Sequence, residues 1–419
     1  MKTIFRAKYV LKSYLDQPIK DGYILVEDGV IKDIGKEKSK ESADEEYDLG
    51  EALIAPSFAV THAHVGMTAL RGIGEGKTLY EWLKQVWDIE SKLNYELLRE
   101  ADVVGLGELI SSGVTAVLDF YDIQPMVEAV NKIAHKLDVK LGLAFMDKVK
   151  YMEEESWKRL KNIDNISKSL KEKGFEVFIS PHSLYAVSTE MLRELFKLEG
   201  YKYQMHFLEN EEELLQIKQV YGNEDPVEIL KKVGALSKWL ILAHAVLLSK
   251  EQIIKLALPN IYVSHCPVSN SRLGSGYARV RDMLSGGVQV TIGTDGPGSS
   301  ETLDIFDEIK SAIVILRGTT KDVSISIKDI MHMASYVGFK ALGIKSGLLE
   351  KGYNADFVSY DLTKVYPSWD LVTALGYQSN RFVIKDVVSK GEFLKKDGEL
   401  TFKDQFEESL KNLQEFIHL

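Results

Sequence analysis

At 419 residues, with 45% hydrophobic and 27% charged side chains, the chain has the make-up of a globular protein with a large core, and length alone allows about two or three domains. Its net charge of −10 at pH 7 argues against a general nucleic-acid binder, and its single cysteine, Cys266, excludes an intrachain disulfide. No run of about 18 apolar residues offers a membrane span, and the N-terminal MKTIFRAKYVLKSYLDQ lacks the unbroken apolar core of a signal peptide, so a cytoplasmic protein is the default expectation.

Residues 1–55 read as β-rich. Tyr23-Ile24-Leu25-Val26 and Val30-Ile31-Lys32-Asp33-Ile34 flank the turn signal Glu27-Asp28-Gly29, a hairpin pattern, and residues 36–46 read as a charged loop. Beyond them, apolar runs ending in polar residues alternate with helical periodicity. The runs cover 54–64, 114–120, 140–146, 175–182, 203–209, 240–244, 261–265 and 288–295. The helical patterns cover 96–110, 126–137, 157–171, 189–198, 211–221, 250–256 and 280–284, with two more at 303–316 and 327–342. Eight such units with nearly continuous apolar strands predict an α/β fold, a parallel (β/α)8 TIM-type barrel; an open doubly wound sheet shares the alternation. Strands return at 356–360, 383–388 and 391–394, with Lys396-Asp397-Gly398 as a turn and a short helix over 406–419. Strand-rich ends around this middle predict a barrel over 56–344 and a small composite β-sandwich domain built from 1–55 plus 345–419.

The functional signal lies in the histidines. His62, His64, His182, His206, His244 and His265 fall at or just past the ends of apolar runs, and Asp295 closes the eighth run. Barrel active sites lie at these C-terminal strand ends. Residues two apart in a strand point the same way, so His62 and His64 can face one metal. Three imidazoles (His62, His64, His206) and one carboxylate (Asp295), with a position left for water, suit Zn²⁺. The same donors admit Fe²⁺, Mn²⁺, Ni²⁺ or Co²⁺. Such an ion lowers the pKa of a water toward neutrality. Glu209, three residues after His206, is not needed as a ligand and is placed for proton transfer.

Pro56-Ser57-Phe58 leading into His62-Ala63-His64, His206-Phe-Leu-Glu209, Ala243-His244-Ala245, Ser264-His265-Cys266-Pro267-Val268-Ser269-Asn270 and Gly293-Thr294-Asp295-Gly296 together resemble the amidohydrolase superfamily over essentially the whole chain. Within it, the chain is most similar to the 5′-methylthioadenosine/S-adenosylhomocysteine deaminases and their chlorohydrolase relatives. The resemblance implies one divalent metal on His62, His64, His206 and Asp295. It implies that Glu209 carries a proton to a ring nitrogen, and that His244 orients the attacking hydroxide and polarises the reacting carbon. Asp295 would accept the water proton and help deliver it to leaving ammonia. Two-metal relatives carry a lysine at the end of the fourth strand; Phe178-Ile179-Ser180-Pro181-His182 has none, which favours one metal.

Glu81, His182 and Ser299 match substrate contacts of the family, Glu81 at a position that grips ribose hydroxyls. Relatives that accept S-adenosylhomocysteine use arginines after the third strand. This chain has Ala144-Phe145-Met146-Asp147 there, with only Lys148 and Lys150 nearby, which favours a neutral 5′ substituent. The implied activity is hydrolytic deamination of an adenosine-like nucleoside, cleavage of a C–N bond in a cyclic amidine. Alternatives are a guanine- or cytosine-type deaminase, a triazine-type chlorohydrolase, a cyclic-amide or dipeptide hydrolase, and a non-catalytic metal-binding or ligand-binding barrel.

Other features have plainer readings. His135, His332 and His418 lie on helical patterns and read as surface or packing residues. His265 either lines the site or supports the loop after the seventh strand. Glu81 lies in a helical stretch where an exposed Glu is commonplace. Arg71–Gly76 is glycine-rich but matches no dinucleotide fingerprint and reads as a mobile rim loop. The expected partner is a small purine-like molecule, with no nucleic acid and no membrane. Two-fold homo-oligomers are the commonest kind, and nothing in the sequence demonstrates one.

Overall fold

Eight apolar strands pair in parallel and in sequence order in the computed structural model, which describes residues 1–36, 41–133 and 136–417. They are β1 (Phe58–Ala63), β2 (Val114–Asp119), β3 (Asp138–Phe145), β4 (Glu176–Pro181), β5 (Lys202–Phe207), β6 (Leu240–His244), β7 (Ile261–His265) and β8 (Gln289–Ile292). Every residue of β1, β2, β6 and β7 is buried, as expected of parallel strands covered on both faces. A short bridge just past β8 closes the ring. The N–H groups of Thr294 and Asp295 donate to the His62 carbonyl at 3.1 and 3.2 Å, and the His64 N–H donates to the Asp295 carbonyl at 3.3 Å. The closing bridge thus runs through three of the residues singled out above. His135 and His418 lie outside the described residues.

The apolar run 54–64 turns out to be two strands in two sheets. Ala52–Pro56 pairs with Phe357–Asp361, whereas β1 pairs with β2. The change falls at Ser57. Its N–H donates to the Asp356 carbonyl, while the next, from Phe58, donates to Gly113 in the barrel. Pro56, lacking an N–H, sits where the ladder breaks. The helical pattern 157–171 likewise splits at Asn162 into Glu153–Lys161 and Ile163–Glu172. Pattern 327–342 contains one π turn, Met333–Val337, where the Ser335 hydroxyl donates to the Ser57 carbonyl at 2.7 Å. Sequence patterning passed over the short helices Pro226–Lys232 and Leu371–Gln378.

Both chain ends build one nine-stranded mixed sheet. The expected hairpin turn is present, with Asp28 and Gly29 both left-handed (φ 52° and 78°); Asp397 and Gly398 repeat it (50° and 90°). Two such residues in a row make the tight turn that matches strand twist. Glu392–Lys396 lies four strand steps from Lys2–Val10 in this sheet, about 19 Å if the sheet were flat. Yet the rings of Phe393 and Phe5 are only 5.8 Å apart, with Tyr47 and Phe357 against Phe5 at 5.4 and 4.9 Å. The sheet therefore curls onto itself as a sandwich around an aromatic core. No helix among the described residues is long and apolar enough to cross a membrane.

Phe5 is fully buried at the centre of this aromatic cluster. Phe5→Ala is expected to cost about 3–5 kcal/mol in urea denaturation. A cost below about 1 kcal/mol would mean that the two arms do not share a core.

Candidate active site

The barrel delivers its polar side chains at the C-terminal strand ends. His62 lies in β1 and His64 just beyond it, His206 in β5, His244 at the end of β6, and Asp295 shortly after β8. Backbone geometry is unusual here. Leu208, His244, Ala245 and Asp295 have φ of 51°, 70°, 49° and 56°, a left-handed conformation rare outside glycine. Such strain persists where surrounding structure enforces it, and it clusters at functional sites.

Each central imidazole has one nitrogen committed outward. His64 Nδ1 pairs with the Phe120 carbonyl at 2.6 Å, and His206 Nδ1 with the His182 carbonyl at 3.1 Å. A carbonyl only accepts, so both Nδ1 atoms carry the proton and both Nε2 lone pairs face inward. His62 Nδ1 meets Gln204 Oε1 at 3.4 Å, and its buried Nε2 has no hydrogen-bond partner. Burial pushes the His62 pKa down to about 4 and holds His206 well below its ordinary value. Burial also opposes protonation of His64, but Asp295, the Phe120 carbonyl and Asp119 outweigh it and raise its pKa. Burial opposes ionisation of Asp295 as well, yet His62 and His64 hold its carboxyl far below the usual range.

These groups fit a metal ion. Tetrahedral bonds of about 2.1 Å place ligand atoms about 3.4 Å apart. Asp295 Oδ1 lies 3.2 Å from His64 Nε2 and 3.6 Å from His62 Nε2, and the Nε2 atoms of His64 and His206 are 3.3 Å apart. His62, His64 and His206 form one candidate ligand group, and His62, His244 and Asp295 another. The orphaned Nε2 of His62 is the further mark of a missing partner.

Beside this cluster stand Glu209 and His244. Glu209 Oε2 is 3.8 Å from His244 Nε2, and Oε1 accepts from the Ser275 hydroxyl at 3.5 Å. Burial, with the charge of Asp295, pushes Glu209 up to about 8, so its carboxyl is neutral at pH 7. His244 Nδ1 pairs with Asn270 Oδ1 at 2.9 Å, leaving Nε2 as the bare nitrogen on the cavity side. Burial lowers the His244 pKa, which keeps this ring neutral. Asp295 divides its oxygens: Oδ1 faces the imidazoles, and Oδ2 accepts from Ser269 at 2.5 Å and Ser299 at 2.8 Å.

A cavity of about 1010 Å³ opens over these groups, lined by His64, His182, His206, Glu209, His244 and Asp295 together with Trp82, Trp87 and Tyr121. Two residues matched to substrate contacts are not brought to it. Glu81 is exposed, and its carboxylate accepts from the N–H and hydroxyl of Thr78 at 3.1 and 3.2 Å, capping its own helix Leu79–Glu90. Ser299 is buried behind Asp295 and does not line the cavity. His265 is buried beneath the site and does not line it either. Beyond β3 an arginine does reach the cavity, Arg159, but it is engaged by Glu155 at 3.1 Å and the Ala144 carbonyl at 3.0 Å. Arg71–Gly76 is pinned: both Glu301 carboxylate oxygens accept from Gly72 N–H at 2.9 Å, and Arg71 pairs with Glu108.

Sequence reasoning missed Gln204, Ser269 and Asn270 as supports. Gln204 sits two residues before His206, hence on the same strand face, and could have been found by alternation. Ser269 and Asn270 stood inside a quoted motif, but their partners are set by tertiary contact.

A parallel (β/α)8 barrel that gathers imidazoles, a carboxylate and a neutral acid at its strand ends defines a metal-site barrel of the hydrolase kind. The amidohydrolase family model matches residues 53–394, and the chain belongs to that family. It is 35% identical over 407 residues to a 5-methylthioadenosine/S-adenosylhomocysteine deaminase of Aquifex aeolicus, covering 93% of each chain. It is 34% identical over 394 residues to a 5′-deoxyadenosine deaminase of Methanocaldococcus jannaschii, covering 91% of this chain and 93% of that one. Its fold matches that of a zinc-bound adenosine deaminase from Xanthomonas campestris with a TM-score of 0.89 at 22% identity, covering 99% and 98% of the two chains.

The raised Glu209 pKa gives a signed expectation for the metal-free protein. Between pH 4.5 and about 8 the folded chain holds a proton there that the unfolded chain releases, so stability falls as pH rises through that window. The thermal midpoint of metal-free Glu209→Gln should fall less steeply from pH 5 to 8 than that of the parent; equal slopes would contradict the neutral carboxyl.

Proposed function

We propose that this protein is a hydrolytic deaminase of adenosine-like nucleosides with a neutral 5′ substituent, using one divalent ion held by His62, His64, His206 and Asp295. One observation carries the reading: a buried carboxyl, Glu209, stands 3.8 Å from the bare nitrogen of His244 directly beside that donor set. The adenosine-type activities named for the relatives point the same way. Three imidazole nitrogens and one carboxylate oxygen suit Zn²⁺ best. When bound, the ion would act as a Lewis acid and bring a water's pKa toward neutrality.

The chain's own groups then divide the work. His244 Nε2, aimed by the Asn270 bond, orients the water that attacks the ring carbon bearing the amine. Glu209 donates its proton to the adjacent ring nitrogen as that nitrogen gains charge. Asp295 takes a proton from the attacking water and helps return it to the departing nitrogen. A C–O bond forms, the C–N bond breaks and ammonia leaves, and the remaining hydroxyl proton of the added water goes back to Glu209 as the ring carbonyl forms. His182 borders the space for the ring, and the Trp82 and Trp87 side chains give an aromatic wall against which a purine can pack. Arg159, the one arginine among the described residues lining the cavity, already has its Nε on Glu155 and its Nη1 on the Ala144 carbonyl, which leaves less of its guanidinium for a substrate carboxylate.

Zinc-loaded protein should release ammonia from adenosine, 5′-deoxyadenosine and 5′-methylthioadenosine, and less efficiently from S-adenosylhomocysteine; the reverse order would sink the neutral-substituent reading. Adenine, guanine and cytosine complete the panel. Glu209→Gln is expected to lower kcat by about 10²–10⁴-fold while keeping its metal. His62→Ala should instead lose the metal, measured by elemental analysis. Retained metal in that variant would argue against the ligand set.

A further inference from the structure

Ser269 and Asn270 are neighbours on one short helix, Pro267–Arg272, yet they serve two different groups. The Ser269 hydroxyl donates to Asp295, and Asn270 accepts from His244. A tilt of this helix therefore moves a hydrogen bond on each. Six residues are too few to hold a helix by themselves, so its seat must come from packing and capping. Its N-cap, Cys266, supplies no side-chain hydrogen bond to the helix's own amides. Pro267 has no N–H, which makes Val268 the first amide needing a partner. That partner is Glu308, from helix Ile305–Thr320: Oε2 accepts from Val268 N–H at 3.2 Å.

Glu308 is fully buried, forms no ion pair among the described residues, and leaves Oε1 with no hydrogen-bond partner. The unmet oxygen is costly, while an apolar side chain of similar volume would leave the part-buried Val268 N–H without its acceptor. We infer that Glu308 is a positioning residue, seating through Val268 the helix that orients Asp295 and His244 together. It does not line the cavity, its hydrogen bonding among the described residues is to Val268 alone, and that bond needs only an acceptor oxygen. This inference rests on the roles proposed above for Asp295 and His244.

The test compares Glu308→Met, which keeps volume and removes the acceptor, with Glu308→Gln, which keeps both. In zinc-loaded protein turning over the best nucleoside of the panel, Glu308→Met should lose at least about 10-fold in kcat, with KM and metal content unchanged, as expected of misplaced catalytic groups. Glu308→Gln should stay within about 3-fold of the parent, since the amide oxygen still accepts from Val268. Wild-type kcat in Glu308→Met, an equal loss in Glu308→Gln, or a loss accompanied by raised KM and lost metal would each overturn the inference. If Glu308→Met does not fold, Glu308→Asp withdraws the acceptor by one methylene and is read by the same quantities. Asp295→Asn run alongside separates the two readings. Retained turnover there overturns the site assignment and this inference with it; lost turnover there beside wild-type kcat in Glu308→Met overturns this inference alone.

Discussion

Ring nitrogens at the centre of this barrel are aimed by hydrogen bonds made on the far side of each ring. A neutral imidazole has one donor and one acceptor, so fixing the donor fixes the lone pair. Carbonyls of Phe120 and His182 and the side chains of Gln204 and Asn270 do this for His64, His206, His62 and His244 in turn. Two of the four partners are backbone carbonyls at the ends of neighbouring strands. The barrel's register is therefore what aims those two rings, and the chemistry of the site inherits the precision of the sheet.

Burial beside the cavity separates two carboxyls into opposite states. Asp295 shares its oxygens among imidazoles and two serine hydroxyls and stays ionised; Glu209, a short distance away, has one weak hydroxyl partner and the charge of Asp295 for company. Burial then keeps Glu209 protonated. Pairs of acids driven apart in this way mark the donor and the acceptor of a proton-transfer reaction. Glu213 extends the arrangement: it is pushed up to about 7 by burial, and it accepts the Glu209 backbone N–H at 2.6 Å.

What was legible in the sequence followed from periodicity. Eight apolar runs and the polar residues closing them marked the strands and the rim of the barrel, because fully buried parallel strands leave little room for polar residues except at their ends. Boundaries failed where one apolar run served two sheets, as at Pro56-Ser57, since hydrophobicity does not report which partner a strand pairs with. Glu81 and Ser299 were matched by motif, yet one caps a helix and the other backs Asp295. Both lie outside regular strand, where side-chain direction depends on local geometry that spacing does not encode. Glu308 lay in a helical pattern with nothing to distinguish it, because its partner, the Val268 amide, is a backbone group and leaves no trace in residue type.

The outer sheet interleaves the two ends of the chain, and that has a consequence for how the protein is made. Strand Ala52–Pro56 lies between Lys2–Val10 and Phe357–Asp361, so its second neighbour leaves the ribosome roughly 300 residues after it, many seconds later at typical synthesis rates. Until then the N-terminal strands present an open edge and half of an aromatic core. The barrel, whose strands pair in order, can close first. The last strands of the chain then complete the sheet, so that a truncated or stalled product would carry a formed barrel beside an exposed, aggregation-prone edge.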